Sequence, residues 1–416
     1  MPRPILLLCY DFPPNQGIGG RRWAKLSRAL AESGTKVYVI KASPVKGNKT
    51  SHWTEDTRHP NIESFELPRN YPRVLSHPGK SFLDKISFRF WKWLLMKQYE
   101  GTPFDLAIRW EKALLNQAKA LITAKGIGNI IATGAPFNLM FFSAQLKRQF
   151  PDIRFICDYR DPWLTAVNYG IPALSYPRFL QEKNKQQAIF DTADYITCPN
   201  PFMLEEIRAS ADYPATNSKM RVIAHFYDPN ELKSALDLQE RRAEKLLLVY
   251  GGTLYMDLLP HFRNFLHSLD HLRQERHDLY ARLAIEIYTK DQRFSDIFAN
   301  HSCIRVQPEI GKAVFDRIAQ ASGLLIFLAH HNKDYLTTKF IENLPFRKPL
   351  LLFGEKGYTA KYILENKLGW VSGEPGPNFA EILDAIGSGT FAYNHSFPHE
   401  QFSLNSIRQE LEKILQ

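Results

Sequence analysis

The chain has 416 residues, 44% of them hydrophobic, with 53 Lys/Arg against 43 Asp/Glu and a formal net charge of +10. That length is too great for one core and predicts a packed protein of two ordinary domains, while no apolar run approaches the roughly 18–20 residues that a bilayer-spanning helix needs. The charge is uneven: residues 1–235 hold 32 Lys/Arg against 21 Asp/Glu, and residues 236–416 hold 21 against 22. A basic first half predicts an anionic partner, a phospholipid surface or a lipid-pyrophosphate acceptor; no motif supports a nucleic acid.

In chain order, Ile5–Cys9 is a short apolar run that passes straight into a Pro/Gly loop, and it reads as a first strand and not as a signal peptide. A helix is predicted over Arg21–Ser33, with Trp23, Leu26, Ala29 and Leu30 on one face and Gly34 as its stop. Strands follow at Lys36–Ile40, Asn129–Ala132, Arg154–Asp158 and Tyr195–Cys198. A second set lies at Lys245–Tyr250, Ala284–Tyr288, Cys303–Val306, Leu324–Phe327 and Leu350–Phe353. Strands alternating with helices predict parallel sheets covered on both faces, and two such sets predict an α/β protein of two Rossmann-like domains. The domains are placed at 1–225 and 226–400, with the boundary within 213–244. Residues 401–416 end in an amphipathic helix whose Ile407, Leu411 and Ile414 share a side. The cysteines (Cys9, Cys157, Cys198, Cys303) are scattered, which argues against a zinc site or a disulfide framework and for a reducing cytoplasm; Cys9 and Cys157 read as packing residues.

Six segments could carry chemistry. Tyr10-Asp-Phe-Pro-Pro-Asn-Gln-Gly-Ile-Gly-Gly-Arg-Arg-Trp23 is a glycine-rich turn after the first strand, and it offers backbone N–H groups through Gly19 and Gly20, with Arg21 and Arg22 in reach of phosphate. Residues 82–97 interleave Phe82, Ile86, Phe90, Trp93 and Leu94 with Lys85, Arg89, Lys92 and Lys97; such a helix either packs on its domain or lies in an anionic membrane interface. Ile131–Asn138 is a second strand-to-helix turn, with Thr133, Gly134 and an Asn138 cap. In Cys157-Asp-Tyr-Arg-Asp-Pro-Trp163, Asp158 and Arg160 either pair with each other or face a ligand. In Val249-Tyr-Gly-Gly-Thr-Leu-Tyr255, Gly252 and Thr253 could admit a pyrophosphate. Last, Asp334-Tyr-Leu-Thr-Thr-Lys-Phe-Ile-Glu342 gathers two acids, two hydroxyls and a lysine before the apolar run Pro349–Phe353, a set suited to a sugar and a diphosphate. A full capping box is absent there, because Phe340 and Ile341 stand where Glu or Gln is needed; Asp334 or one threonine is left to cap alone.

These segments resemble the retaining glycosyltransferases of family 4, which have the GT-B fold, and especially those that build bacterial surface polysaccharides. The resemblance rests on the "FPP…GG…R" opening, a "T-x-x-P" turn, "D-x-R-D-x-W" at 158–163, a "G-T-L" loop at 252–254, and the acid-x7-acid spacing of Asp334 and Glu342. It runs through residues 10–34, 129–163 and 303–372, and leaves 41–100 unmatched. It implies two Rossmann-like domains facing across a cleft, a C-terminal helix returning to the first domain, and a nucleotide diphosphate sugar as donor, UDP by default, with no cofactor and no metal. Glu342 would hold the ribose, Asp334 the sugar, and Lys339, Thr337, Thr338, Gly19, Gly20, Arg21, Gly252 and Thr253 the diphosphate. Asp161 would orient or deprotonate the acceptor hydroxyl, with Thr133, Gly134 and Arg160 beside it. The acceptor would be a glycan or lipid-linked saccharide at the cytoplasmic face of a membrane. Two departures stand out. The first acid is Asp where the family usually has Glu, and no cation follows Gly252 until Arg263, so the neutralising charge must come from Lys339, Arg21 or Arg22. A sugar-nucleotide epimerase and a non-catalytic nucleotide- or glycan-binding assembly partner of the same architecture are the alternatives.

Overall fold

Four consecutive buried apolar side chains make up Ile5–Leu8, the pattern of a parallel strand covered on both faces. The computed structural model describes residues 2–45, 47, 49–211, 218–238, 245–290, 294–308 and 312–416. Strands β1 (Ile5–Leu8), β2 (Val37–Ala42), β3 (Ile62–Leu67), β4 (Asn129–Gly134), β5 (Arg154–Tyr159), β6 (Tyr195–Cys198) and β7 (Met220–Val222) form a parallel sheet in the order β3-β2-β1-β4-β5-β6-β7. Strands β8 (Leu246–Gly251), β9 (Leu283–Tyr288), β10 (Ile304–Gln307), β11 (Gly323–Leu328), β12 (Leu350–Gly354) and β13 (Gly369–Val371) form a second parallel sheet, β10-β9-β8-β11-β12-β13. The first sheet belongs to a unit made of residues 1–224 and 404–416, the second to a unit of residues 225–403. The two Rossmann-like sheets predicted from the strand–helix alternation are therefore present. The boundary segments expected at 213–219 and 240–245 lie mostly outside the described residues.

Strands β3, β7 and β13 carry no signal in the sequence. Each sits at the edge of its sheet, and most of their side chains are only partly buried or exposed, so no continuous apolar run marks them. The first helix starts at Ile18, three residues before the expected Arg21, which places Gly19 and Gly20 inside its first turn. The expected Asn138 cap is corrected. The helix Asn138–Gln149 has no side-chain cap of its own; the Asp105 carboxylate accepts from the backbone N–H of Phe137 (2.7 Å) and Asn138 (3.1 Å). Burial pushes the Asp105 carboxyl up, and the backbone N–H bonds from Asn138 and Ala107 pull against it.

In the first unit one buried carboxylate ties four elements together. Asp158, on β5, accepts from Trp23 Nε1 (2.8 Å) and lies 3.5 Å from Arg22 Nε, both on the first helix. It also accepts from Thr133 Oγ1 on β4 (3.2 Å) and Thr197 Oγ1 on β6 (2.8 Å). Arg22 donates its other nitrogens to the carbonyls of Ile223 (2.7 Å) and Ala224 (2.9 Å). The expected Asp158–Arg160 pair is thus replaced by an Asp158–Arg22 pair, because Arg22 points inward from the helix and Arg160 turns away. The helix Leu404–Leu415 completes this unit. It buries Leu404, Ile407, Leu411 and Ile414, places Glu412 3.0 Å from Ser33 Oγ at the end of the first helix, and accepts a bond from Arg154 through the Ile414 carbonyl (3.2 Å).

The core of the second unit is aromatic. Phe265 sits edge-on to Phe327, Phe353 and Phe379 at 5.0–6.3 Å, and Phe262 does the same to Phe327 and Phe298. In both sheets the strand order reverses beside the first strand of its unit: between β1 and β4, and between β8 and β11. Loops leaving the carboxyl ends there diverge and leave room for a ligand. Among the described residues, no helix is long and apolar enough to cross a membrane.

Replacing Asp158 by Ala should strand the buried Arg22 charge and two hydroxyls, with an expected loss of about 3–5 kcal/mol. Urea unfolding should show it, and a loss below about 1 kcal/mol would mean that the network contributes little.

Candidate functional site

In the second unit the loop after β8 and the two segments after β11 meet at the switch point. Gly252 donates its N–H to the Tyr288 carbonyl (2.8 Å), and a methyl group built on it would lie 2.2 Å from Lys339 Nζ. Only glycine lets that ammonium lie on the backbone. Lys339 also stands 5.8 Å from the centre of the Tyr250 ring. Burial drives its pKa down to about 8, and the Glu342 carboxylate, one turn away on the helix Thr338–Asn343, draws it back up. Lys339 thus sets a half-buried cation against Gly252, after which the sequence has no Lys or Arg until Arg263. Thr253 is exposed beside it, and its carbonyl accepts from the buried Tyr250 hydroxyl (3.1 Å).

The threonines divide as the sequence allowed. Thr337 caps the helix by accepting from the Phe340 N–H (3.3 Å), and Thr338 is the first helical residue, partly exposed. Asp334 caps a different helix: its carboxylate accepts from the Tyr358 N–H (2.8 Å) at the start of Tyr358–Glu365, with Gly357 packed against it. One carboxylate oxygen is thus committed to the fold. Around the same rim, His331 Nδ1 lies 3.3 Å from Asp257 and His330 Nδ1 lies 2.5 Å from Glu355. Among the described residues, no group of three or more His, Cys, Asp or Glu side chains is arranged to hold a metal ion.

In the first unit the loops after β1, β4 and β5 meet at the other switch point. Arg160 donates to the carbonyls of Gly134 (3.2 Å from Nε) and Ala135, and its guanidinium fills the space where a Gly19 side chain would be; a methyl there would lie 1.0 Å from Nη1. A methyl on Gly20 would lie 2.2 Å from the Asp11 carbonyl oxygen. Both glycines are needed for these approaches whether or not a ligand binds. Thr133 is buried and its hydroxyl is spent on Asp158, while Arg21 is buried within 6.0 Å of the Trp53 ring. Arg22 is likewise buried in its pairing with Asp158 and cannot serve as a phosphate ligand there. Asp161 is exposed at the rim. The protein around it pushes its carboxyl up and Arg160 pulls it down.

Asp11 and Arg69 are the residues that sequence reading passed over. Arg69 Nη2 lies 4.0 Å from Asp11 and donates to Asn15 Oδ1 (2.8 Å), and its guanidinium lies over the Tyr10 ring. Burial raises the Asp11 carboxyl, against Arg160 and Arg69. Asp11 follows the first strand directly, a position that could have singled it out; Arg69 lies in the unmatched stretch and had no signal.

No protein-family model and no curated protein matches the sequence. Solved structures do. Sucrose-phosphate synthase from Thermosynechococcus elongatus is similar with a TM-score of 0.62 at 12% identity, over 99% of this chain and 98% of that one. An α,α-trehalose-phosphate synthase (UDP-forming) from Burkholderia vietnamiensis gives 0.59 at 12% identity, over 100% and 97%. WaaG, a glycosyltransferase involved in lipopolysaccharide biosynthesis, gives 0.51 at 12% identity, over 99% of each chain. At such identities the likeness is one of fold, and the chain has the GT-B fold.

Because the folded pKa of Lys339 lies below its ordinary 10.5, the unfolded chain binds more protons between about pH 8 and 10.5, and this residue's penalty on stability is relieved as pH rises through that window. Lys339→Met should therefore melt higher than wild type at pH 7, with the gap closing toward pH 10. A pH-independent gap in thermal unfolding would show that the ammonium is not desolvated.

Proposed function

We propose that the protein is a glycosyltransferase that moves a sugar from a nucleotide diphosphate donor, UDP-linked by preference, to a glycan or lipid-linked saccharide. The observation that carries this reading is Lys339 Nζ resting on Gly252 at the carboxyl edge of the second sheet, one turn from Glu342. A cation, bare backbone and a carboxylate together are what a diphosphate and a ribose require. Support comes from the GT-B fold over nearly the whole chain and from the family 4 resemblance, which also supplies the inference of retention and of a role in surface polysaccharide synthesis at the cytoplasmic face. The neighbour from Burkholderia vietnamiensis is UDP-forming, which favours UDP.

In this reading Glu342 accepts from ribose hydroxyls and Lys339 balances the departing diphosphate. Thr338, Thr253 and backbone N–H groups complete the donor contacts. Asp334 acts through its second oxygen or through the helix it caps. In the first unit the Asp161 carboxylate, made more basic by the protein around it against the pull of Arg160, is suited to take the acceptor proton. Arg160 fixes the turn from which Asp161 projects, and Gly134 offers backbone. Thr133, Gly19, Gly20 and Arg21 shape the site from behind.

A second reading has a specific observation in its favour. Met256 and Asp257 occupy the stretch beyond Gly252 where cations are wanted, and Asp257 pairs with His331. A GT-B protein that binds a nucleotide without turning it over would tolerate that.

UDP should raise the melting temperature of the wild type, and Glu342→Ala should weaken UDP by about ten- to a hundredfold. A panel of UDP, GDP, ADP and CMP in thermal-shift assays checks this, and no shift with any of them would sink the donor reading. Asp161→Asn should leave UDP binding intact and lower sugar transfer by about 10²–10⁴-fold. UDP binding with no sugar transfer or donor hydrolysis in the wild type would establish the non-catalytic alternative.

A further inference from the structure

The helix Phe82–Gln98 has two apolar faces, and only one is used. Leu95 is buried with Leu75 and Ile108, and Phe88, Trp91 and Tyr99 pack around them. Arg178 holds the helix end through the carbonyls of Met96, Tyr99 and Gly101, and a capping box between Ser81 and Asp84 fixes its start. Arg178 therefore ties the C-terminal end of the helix to its unit, and the packed Leu95 face sets which side looks inward. Its other face carries Phe82, Leu83, Ile86, Phe90 and Trp93, which are 76, 75, 49, 52 and 54% exposed. At 3.6 residues per turn these five share an arc of about 100°. Lys85 and Arg89 flank the arc, and Lys97 lies within it, its ammonium 5.3 Å from the Trp93 ring. The face expected either to pack on the domain or to meet a membrane is thus turned outward within its own unit.

Charge decides what covers it. From residue 73 to 97 there are six Lys/Arg (Arg73, Lys80, Lys85, Arg89, Lys92, Lys97) and one acid, Asp84, whose carboxylate is engaged with Ser81. A second copy of the chain on a two-fold axis would set this cluster against itself. Anionic phospholipid answers both features: aromatic rings enter the headgroup–acyl boundary while lysine and arginine stems reach outward to phosphate.

We propose that Phe82, Leu83, Ile86, Phe90 and Trp93 seat the first unit in the interface of an anionic bilayer, with Lys85, Arg89 and Lys97 on lipid phosphates. This holds independently of the sugar-transfer reading. The test is sedimentation of the full chain with phosphatidylcholine vesicles, with and without phosphatidylglycerol. Binding is expected only with phosphatidylglycerol, and it should fall as salt rises. Lys85→Gln with Arg89→Gln should weaken it by about thirtyfold. Phe90→Ser with Trp93→Ser should weaken it at least tenfold while leaving the melting temperature and any UDP shift unchanged, since both side chains are exposed. Failure to bind either vesicle would overturn the proposal, as would equal binding by the serine variant. So would a concentration-dependent dimer of the wild type, seen by sedimentation velocity, that the serine variant loses.

Discussion

The first unit depends on a negative charge buried where three strands and a helix converge. A carboxylate in that position would be costly alone, and it is stable because Arg22, Trp23, Thr133 and Thr197 all direct donors at it. The same bonds orient the chain nearby. With Asp158 engaged by these partners, Arg160, two residues on, turns away from it and bonds Gly134 and Ala135. Asp161 is then left at the rim. The D-x-R-D-x-W pattern thus divides into a core anchor, a loop clamp, a rim acid and a second core anchor, Trp163, whose indole donates to the buried Glu182 (2.7 Å).

The second unit solves a different problem with fewer parts. Its glycine loop after β8 is followed by no Lys or Arg until Arg263. Lys339 reaches across from the helix after β11 and lies on Gly252, so position in space replaces position in sequence. Desolvation lowers its hold on the proton, and the Glu342 carboxylate works against that. Asp334 serves the fold as well: one of its carboxylate oxygens caps the N-terminus of the helix Tyr358–Glu365.

The helix Phe82–Gln98 illustrates why an apolar stripe is ambiguous. Periodicity reports that a face is apolar, and says nothing of which apolar face the neighbours cover. Leu95, Phe88 and Trp91 supply the packing here, and Phe90 and Trp93 remain outside.

Much of the fold was legible in the sequence alone. Runs such as Ile5–Leu8 and Leu350–Phe353 mark strands buried on both faces, and their alternation with helices fixes two parallel sheets, since that burial leaves no other use for such runs. The segments of chemical interest were legible too, because turns after strands need glycine and collect polar groups. Their roles were not. Whether Asp158 pairs with Arg160 or Arg22, whether Asn138 or Asp105 caps its helix, and which cation lies against Gly252 are all settled by contacts between residues 25–136 positions apart. Local propensity has no term for such distances; packing, and the cost of leaving a buried polar group unpaired, decide them.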